Sequence, residues 1–104
     1  AVAIAAHLNP GDRVMFCRRD PTTAVADMRR MLSDLKLRLG KQSIRGGLYV
    51  SCAARGPNQF SDPDQEMQLI HQALGTFPLT GFFANGEFCR DRLYSYTGVL
   101  TLFL

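Results

Sequence analysis

Ser51, Cys52 and Arg55 place a hydroxyl, a thiol and a guanidinium within five residues, where an apolar run gives way to a turn. The run is Leu48-Tyr49-Val50, short and rich in β-favouring side chains. Gly56-Pro57-Asn58 then bends the chain. In open sheets, ligands bind beyond the carboxyl ends of parallel strands. Two further strand ends are expected at the same edge, carrying Cys17-Arg18-Arg19-Asp20 and Asn85-Gly86-Glu87. Arginine presents paired planar donors to a carboxylate, and Glu87 or Asp20 would hold an amine. The set Arg18, Ser51, Cys52, Arg55, Asn85 and Glu87 therefore suits a small zwitterion such as an amino acid. The plainer reading stands beside it: Asp20 caps a helix, the arginines are solvated, and Asn85-Gly86 is only a turn.

A thiol enzyme would need a base to activate Cys52. The two histidines are His7 and His71, and neither has a local reason to reach it. Buried cysteine commonly serves as a small hydrophobe. Cys17, Cys52 and Cys89 lack the paired spacing of a zinc site, so no metal or other cofactor is expected. Residues 54–58 hold one glycine and no following Lys-Ser/Thr, which excludes a phosphate loop.

The bulk numbers set the class. A chain of 104 residues, 46% hydrophobic and 20% charged, reads as one globular domain, 1–104. The net charge of +3 is too mild for a nucleic-acid surface. Ten of the twelve basic residues are arginine, which an Arg-rich genome or carboxylate and phosphate binding would each explain. An odd cysteine count without close spacing is no disulfide framework and points to a reducing cytoplasm. No apolar run approaches the ~18 residues of a membrane helix. The first six residues lack the basic start of a signal peptide. A chain that begins without Met is expected to be a processed or excised piece.

These residues need elements to position them. Residues 2–8 alternate weakly and read as a strand. Asn9-Pro10-Gly11-Asp12 is a turn, and 13–18 is the second arm of a hairpin. Asp20-Pro21 opens a helix. Its apolar stripe of Ala24, Met28, Met31, Leu32, Leu35 and Leu39 recurs at steps of three and four, and Gly40 closes it. Asp62-Pro63 repeats the device, with Gln65 completing a capping-box pattern and Gly75 closing the second helix over Met67, Ile70 and Leu74. A strand over 77–84 leads to Asn85-Gly86, a hairpin signal, and 93–104 is expected as a central or well-covered strand. The fold class is α/β of the α+β type, a mixed five-stranded sheet in the order ββαβαββ. Right-handed crossovers would put both helices on one face. The other face, carrying His7, Tyr49, Ser51, Ser95, Thr97 and Thr101, is expected to be open or covered by a partner.

At these motifs the sequence resembles the C-terminal half of the FIST module, a module of F-box and intracellular signal transduction proteins. The resemblance rests on Gly11-Asp12 with Phe16-Cys17-Arg18-Arg19-Asp20-Pro21, on Gly47-Leu48-Tyr49-Val50-Ser51-Cys52 with Arg55-Gly56, on Pro78 with Gly81-Phe82-Phe83-Ala84-Asn85-Gly86-Glu87, and on Tyr96-Thr97-Gly98-Val99-Leu100. Positions 53, 54, 89 and 91 depart from the pattern. The resemblance implies a cytoplasmic sensory domain that binds small ligands such as amino acids and feeds signalling, with no catalytic set. The expected partners are that small ligand and either a second copy or the N-terminal half of the module, with no nucleic acid and no membrane. The alternatives are a protein-interaction or dimerisation module, and a cysteine-dependent enzyme using Cys52.

Overall fold

The computed structural model describes residues 2–17, 20–55, 60 and 64–104. Helix α1, Pro21–Leu39, starts as its sequence dictates. Asp20 Oδ1 accepts the Thr23 N–H at 2.9 Å, and Pro21 follows at the first position. Gly40, at φ 57°, turns the chain out and donates its N–H to the Lys36 carbonyl. Helix α2, Gln65–Leu74, ends the same way at Gly75, φ 88°, whose N–H reaches the His71 carbonyl. Gln65 is itself the first helical residue, so it is not the third position of a capping box. The expected caps at Asp62-Pro63 lie outside the described residues.

Among the described residues five strands accompany the helices: β1, Gly46–Cys52; β2, Leu79–Ala84; β3, Glu87–Cys89; β4, Arg92–Tyr94; and β5, Gly98–Phe103. The fold is α+β, as expected. Three strands form a mixed sheet in the order β2-β1-β5, with β1 parallel to β2 and antiparallel to β5. The other two form a separate antiparallel ribbon.

Both helices lie on one face of the sheet. Met28 and Leu32 of α1, Leu69 and Ile70 of α2, and Tyr49 of β1 share one buried cluster with Phe60 and Phe77. Leu32 and Ile70 are fully enclosed. Of the residues expected in the core, Met31, Leu35 and Leu74 are half-buried, because they sit at the margins of their stripes. Successive strand residues face opposite sides, so Gly47, Tyr49 and Ser51 turn towards the helices, and Leu48 and Val50 turn away.

Four expectations need correction. Residues 2–8 and 13–17 form no strand and are exposed throughout. Only their turn is made: Asp12 N–H reaches the Asn9 carbonyl at 3.1 Å, and Asn9 N–H reaches Asp12 Oδ2 at 2.8 Å. A ladder needs a neighbour, and these flanks have none among the described residues. Second, Asn85-Gly86 does not close a hairpin on β2, because the strand after it, β3, pairs with β4 instead. The hairpin lies at Arg90-Asp91, where Arg90 takes φ 58°. Third, the segment 93–104 is two strands, broken at Ser95-Tyr96-Thr97, with Tyr96 at φ 60°. Its second strand, β5, lies at a sheet edge and alternates half-buried with exposed residues. Fourth, Tyr49 and Ser51 lie on the helix-covered face. The uncovered face does carry Thr101, with Thr80, but is otherwise apolar, with Phe82, Val99 and Phe103 exposed beside Leu48 and Val50.

Candidate functional site

Cys52 and Ala84 are register partners at the carboxyl ends of the two parallel strands. A single 3-10 turn, Ala53–Arg55, follows β1 at once. That turn swings Arg55 back over the end of the sheet, beside the start of α2. There Glu66 stands on the first turn of α2 with its side chain only 6% exposed.

A buried carboxylate must be compensated, and three groups do it here. The Tyr49 hydroxyl donates to Glu66 Oε1 at 2.6 Å. The Ser51 hydroxyl lies 3.1 Å from Oε2 and 3.2 Å from Oε1. The Arg55 guanidinium lies 3.4 Å from Oε1. Tyr49 and Ser51 are 5% and 3% exposed, so these bonds form away from water. Burial, and then the bond and the charge of Glu66, push the Tyr49 phenol well above its ordinary 10.0. The phenol therefore stays protonated and acts as a fixed donor.

Arg55 is gripped from a second side by the Phe60 ring, whose centroid lies 5.2 Å from the guanidinium carbon. Its Nε is enclosed and has no hydrogen-bond partner among the described residues. An opposite case sits after the end of β2. Glu87 takes the Thr97 hydroxyl on Oε2, and its enclosed Oε1 has no partner among the described residues. Thr97 is tied to the same strand end, since its carbonyl accepts the Cys52 N–H at 2.8 Å.

Of the six residues chosen from sequence, Ser51, Cys52 and Arg55 follow one another at the end of β1. Glu87 joins that end through Thr97. Asn85 is exposed on the link between β2 and β3. Arg18 lies outside the described residues. Cys52 is 1% exposed and packs as a small apolar group. His71 is far from it in the fold: its ring bonds the Gly75 carbonyl and tilts against Phe77, at the opposite end of the sheet. His7 stands exposed in the N-terminal arm.

Sequence reasoning missed Glu66 and Tyr49. One signal was present. Tyr49 and Ser51 share a strand face by their period of two, and two hydroxyls turned into a core call for a polar partner. Gly98 is the other unread requirement. A Cβ there would collide with the Tyr49 hydroxyl, so only glycine lets the phenol lie across β5.

The profile of the FIST C domain family matches residues 1–90. The chain is 32% identical over 108 residues to the uncharacterized protein Rv0628c of Mycobacterium tuberculosis, covering all of this chain and 28% of that protein. It is 33% identical over 98 residues to the uncharacterized protein Mb0898c of Mycobacterium bovis, covering 90% of this chain and 25% of that protein. The chain thus spans about a quarter of the length of these relatives. No solved structure matches.

Proposed function

Because this chain belongs to the FIST C domain family, which is associated with sensory domains of signal transduction, we propose that it is a non-catalytic small-ligand sensor for amino acids or similar zwitterions. One observation carries the reading. Two enclosed atoms of opposite character, Arg55 Nε and Glu87 Oε1, have no hydrogen-bond partner among the described residues, and they stand on the segments that follow the ends of β1 and β2. An unmade bond at an enclosed polar atom is costly. A ligand carboxylate would meet Arg55, and a ligand ammonium would meet Glu87. Ser51 and Cys52 form the floor between them, and Asn85 belongs to the rim.

Glu66 is the positioning residue. It is saturated by Tyr49, Ser51 and Arg55, so its work is to orient the guanidinium and not to touch ligand. Cys52 contributes packing. The cytoplasm is part of the same proposal, supported by three free cysteines. Among the described residues no helix is long and apolar enough to cross a membrane. An association module is the second reading, favoured by Phe82, Val99 and Phe103 on the uncovered face.

The test is a thermal-shift screen against amino acids and small carboxylates, followed by calorimetric titration of variants. Arg55→Lys should weaken the best ligand about ten- to a hundredfold, the worth of a hydrogen bond to a charged group. Glu87→Gln should weaken only ligands that carry an amine. Cys52→Ser should bind as wild type does. Equal affinity in Arg55→Lys and wild type would remove Arg55 from the site. A turnover abolished by Cys52→Ser would replace the sensor with a thiol enzyme.

A further inference from the structure

Helices α1 and α2 lie side by side over the sheet and run in the same direction. A cavity at one end joins Pro21 and Val25 to Gln65, and another at the far end joins Leu39 to Leu74. Three adjoining cavities, of about 590, 280 and 530 Å³, follow the groove between the helices. The middle one shares Arg29 with the first and Lys36, Gln72 and Ala73 with the last.

The two walls carry the same spacing. From α1 come Thr22, Ala26, Arg29, Ser33 and Lys36, at steps of four, three, four and three. From α2 come Gln65, Leu69 and Gln72, at steps of four and three. Rows at that spacing are what a third helix packs into. Ala26 and Ser33 are small enough for another backbone to approach closely. Leu37 stands above Ser33 on the same side of α1, four residues on. At 80% exposed, it is the one large apolar side chain exposed on either helix among the described residues.

The charge of this groove is one-sided. Arg29 and Lys36 are exposed, and among the described residues neither guanidinium nor ammonium has an ion-pair partner. No described acidic residue lines any of the three cavities. The acids of the two helices are held elsewhere. Asp27 pairs with Arg30, Asp34 lines the groove on the β5 side, and Glu66 is buried against Tyr49 and Ser51. Arg29 and Lys36 are seven residues apart, about 10.5 Å along the helix at ~1.5 Å per residue. Carboxylates seven residues apart on a docked helix meet that separation in either direction. Two cations over this length neutralise too few phosphates to hold a nucleic acid. At the α2 end, Gln65 Oε1 is enclosed without a hydrogen-bond partner among the described residues, an acceptor for a donor on whatever docks.

We propose that the groove between α1 and α2 is the docking site for an acidic amphipathic helix of a partner protein. Its carboxylates, seven residues apart, meet Arg29 and Lys36, and its apolar side lies against Ala26, Leu69 and Leu37. Exposed charges of this kind give selectivity more than affinity, so the complex is weak and sensitive to salt. This inference is independent of the ligand site at the ends of β1 and β2.

Fluorescence anisotropy tests it with two labelled synthetic helical peptides of three heptads, both with leucines along one side. One carries glutamates seven residues apart beside the leucines, and the other carries lysines there. The wild type should bind the glutamate peptide at least about tenfold more tightly than the lysine peptide. Raising salt from about 50 to about 300 mM should weaken that binding. The double variant Arg29→Glu, Lys36→Glu should reverse the preference, and both side chains are exposed, so the fold is kept. Leu37→Ser should weaken both peptides without changing which is preferred. No saturable binding of the glutamate peptide up to about 1 mM overturns the inference. A preference that the double reversal leaves unchanged overturns it too. So does an RNA oligomer that displaces the glutamate peptide from the wild type, which would make the groove a nucleic-acid site.

Discussion

The Tyr49 hydroxyl donates to Glu66 Oε1 at 2.6 Å, joining the centre of β1 to the first turn of α2 across the one well-packed core. Neither partner sees water, so the bond trades against no solvent competitor. It also fixes where the carboxylate stands, and hence where Arg55 is held. Tyr49→Phe should lower stability by about 1–3 kcal/mol, the range for losing a buried partner. Urea denaturation measures it. A change within experimental error would mean that Ser51 and Arg55 alone satisfy Glu66.

Alkaline pH should unfold the protein through this same phenol. Its pKa is raised in the folded state, from 10.0, chiefly by burial and then by Glu66. The native state therefore keeps a proton that the unfolded chain loses. That stability is fully present below about pH 10 and declines as pH rises above the unfolded value. Denaturation midpoints from pH 8 to 11.5 should fall more steeply in the wild type than in Tyr49→Phe. Parallel slopes would assign the decline to other groups.

The Arg55–Glu66 pair should show strong coupling. Glu66→Ala leaves a largely buried guanidinium without its counter-charge and is expected to cost about 3–5 kcal/mol. Combining Arg55→Met with Glu66→Leu should cost clearly less than the sum of the single changes, by at least about 1 kcal/mol. Simple additivity in that cycle would show two independent side chains.

Gly98→Ala should destabilise by about 1–3 kcal/mol, since the new methyl meets the Tyr49 hydroxyl and ring. Paired with Tyr49→Phe, the loss should shrink, because the nearest atom is then gone. An unchanged penalty in the double variant would place the strain in the ring or the backbone.

Within α1, Leu32→Ala should cost about 2–5 kcal/mol, as expected for a fully enclosed leucine. Leu37→Ala, on the solvent side, should fall within about 0.5 kcal/mol of wild type. Leu35→Ala should fall between them, for Leu35 is half-buried.

Local chemistry was written in the residues themselves. Asp20 before Pro21, and Gly40 and Gly75 after the apolar stripes, set α1 and the end of α2, since caps and positive φ are properties of a few adjacent residues. The β1 strand and the polar turn after it were legible for the same reason, and with them Ser51, Cys52 and Arg55. Pairing was another matter. Asn85-Gly86 carries the signature of a hairpin, but the strand that follows it, β3, pairs with β4, and the antiparallel partner of β1 is β5, some fifty residues away. A turn signal reports local backbone preference and not which strand is free to receive it. Residues 2–8 alternate as a strand should, yet alternation alone supplies no neighbour. The site showed the same division. Arg55 and Glu87 could be chosen by type and place, whereas Glu66 became central only when α2 packed over β1, because a buried carboxylate takes its meaning from the donors that the fold brings to it.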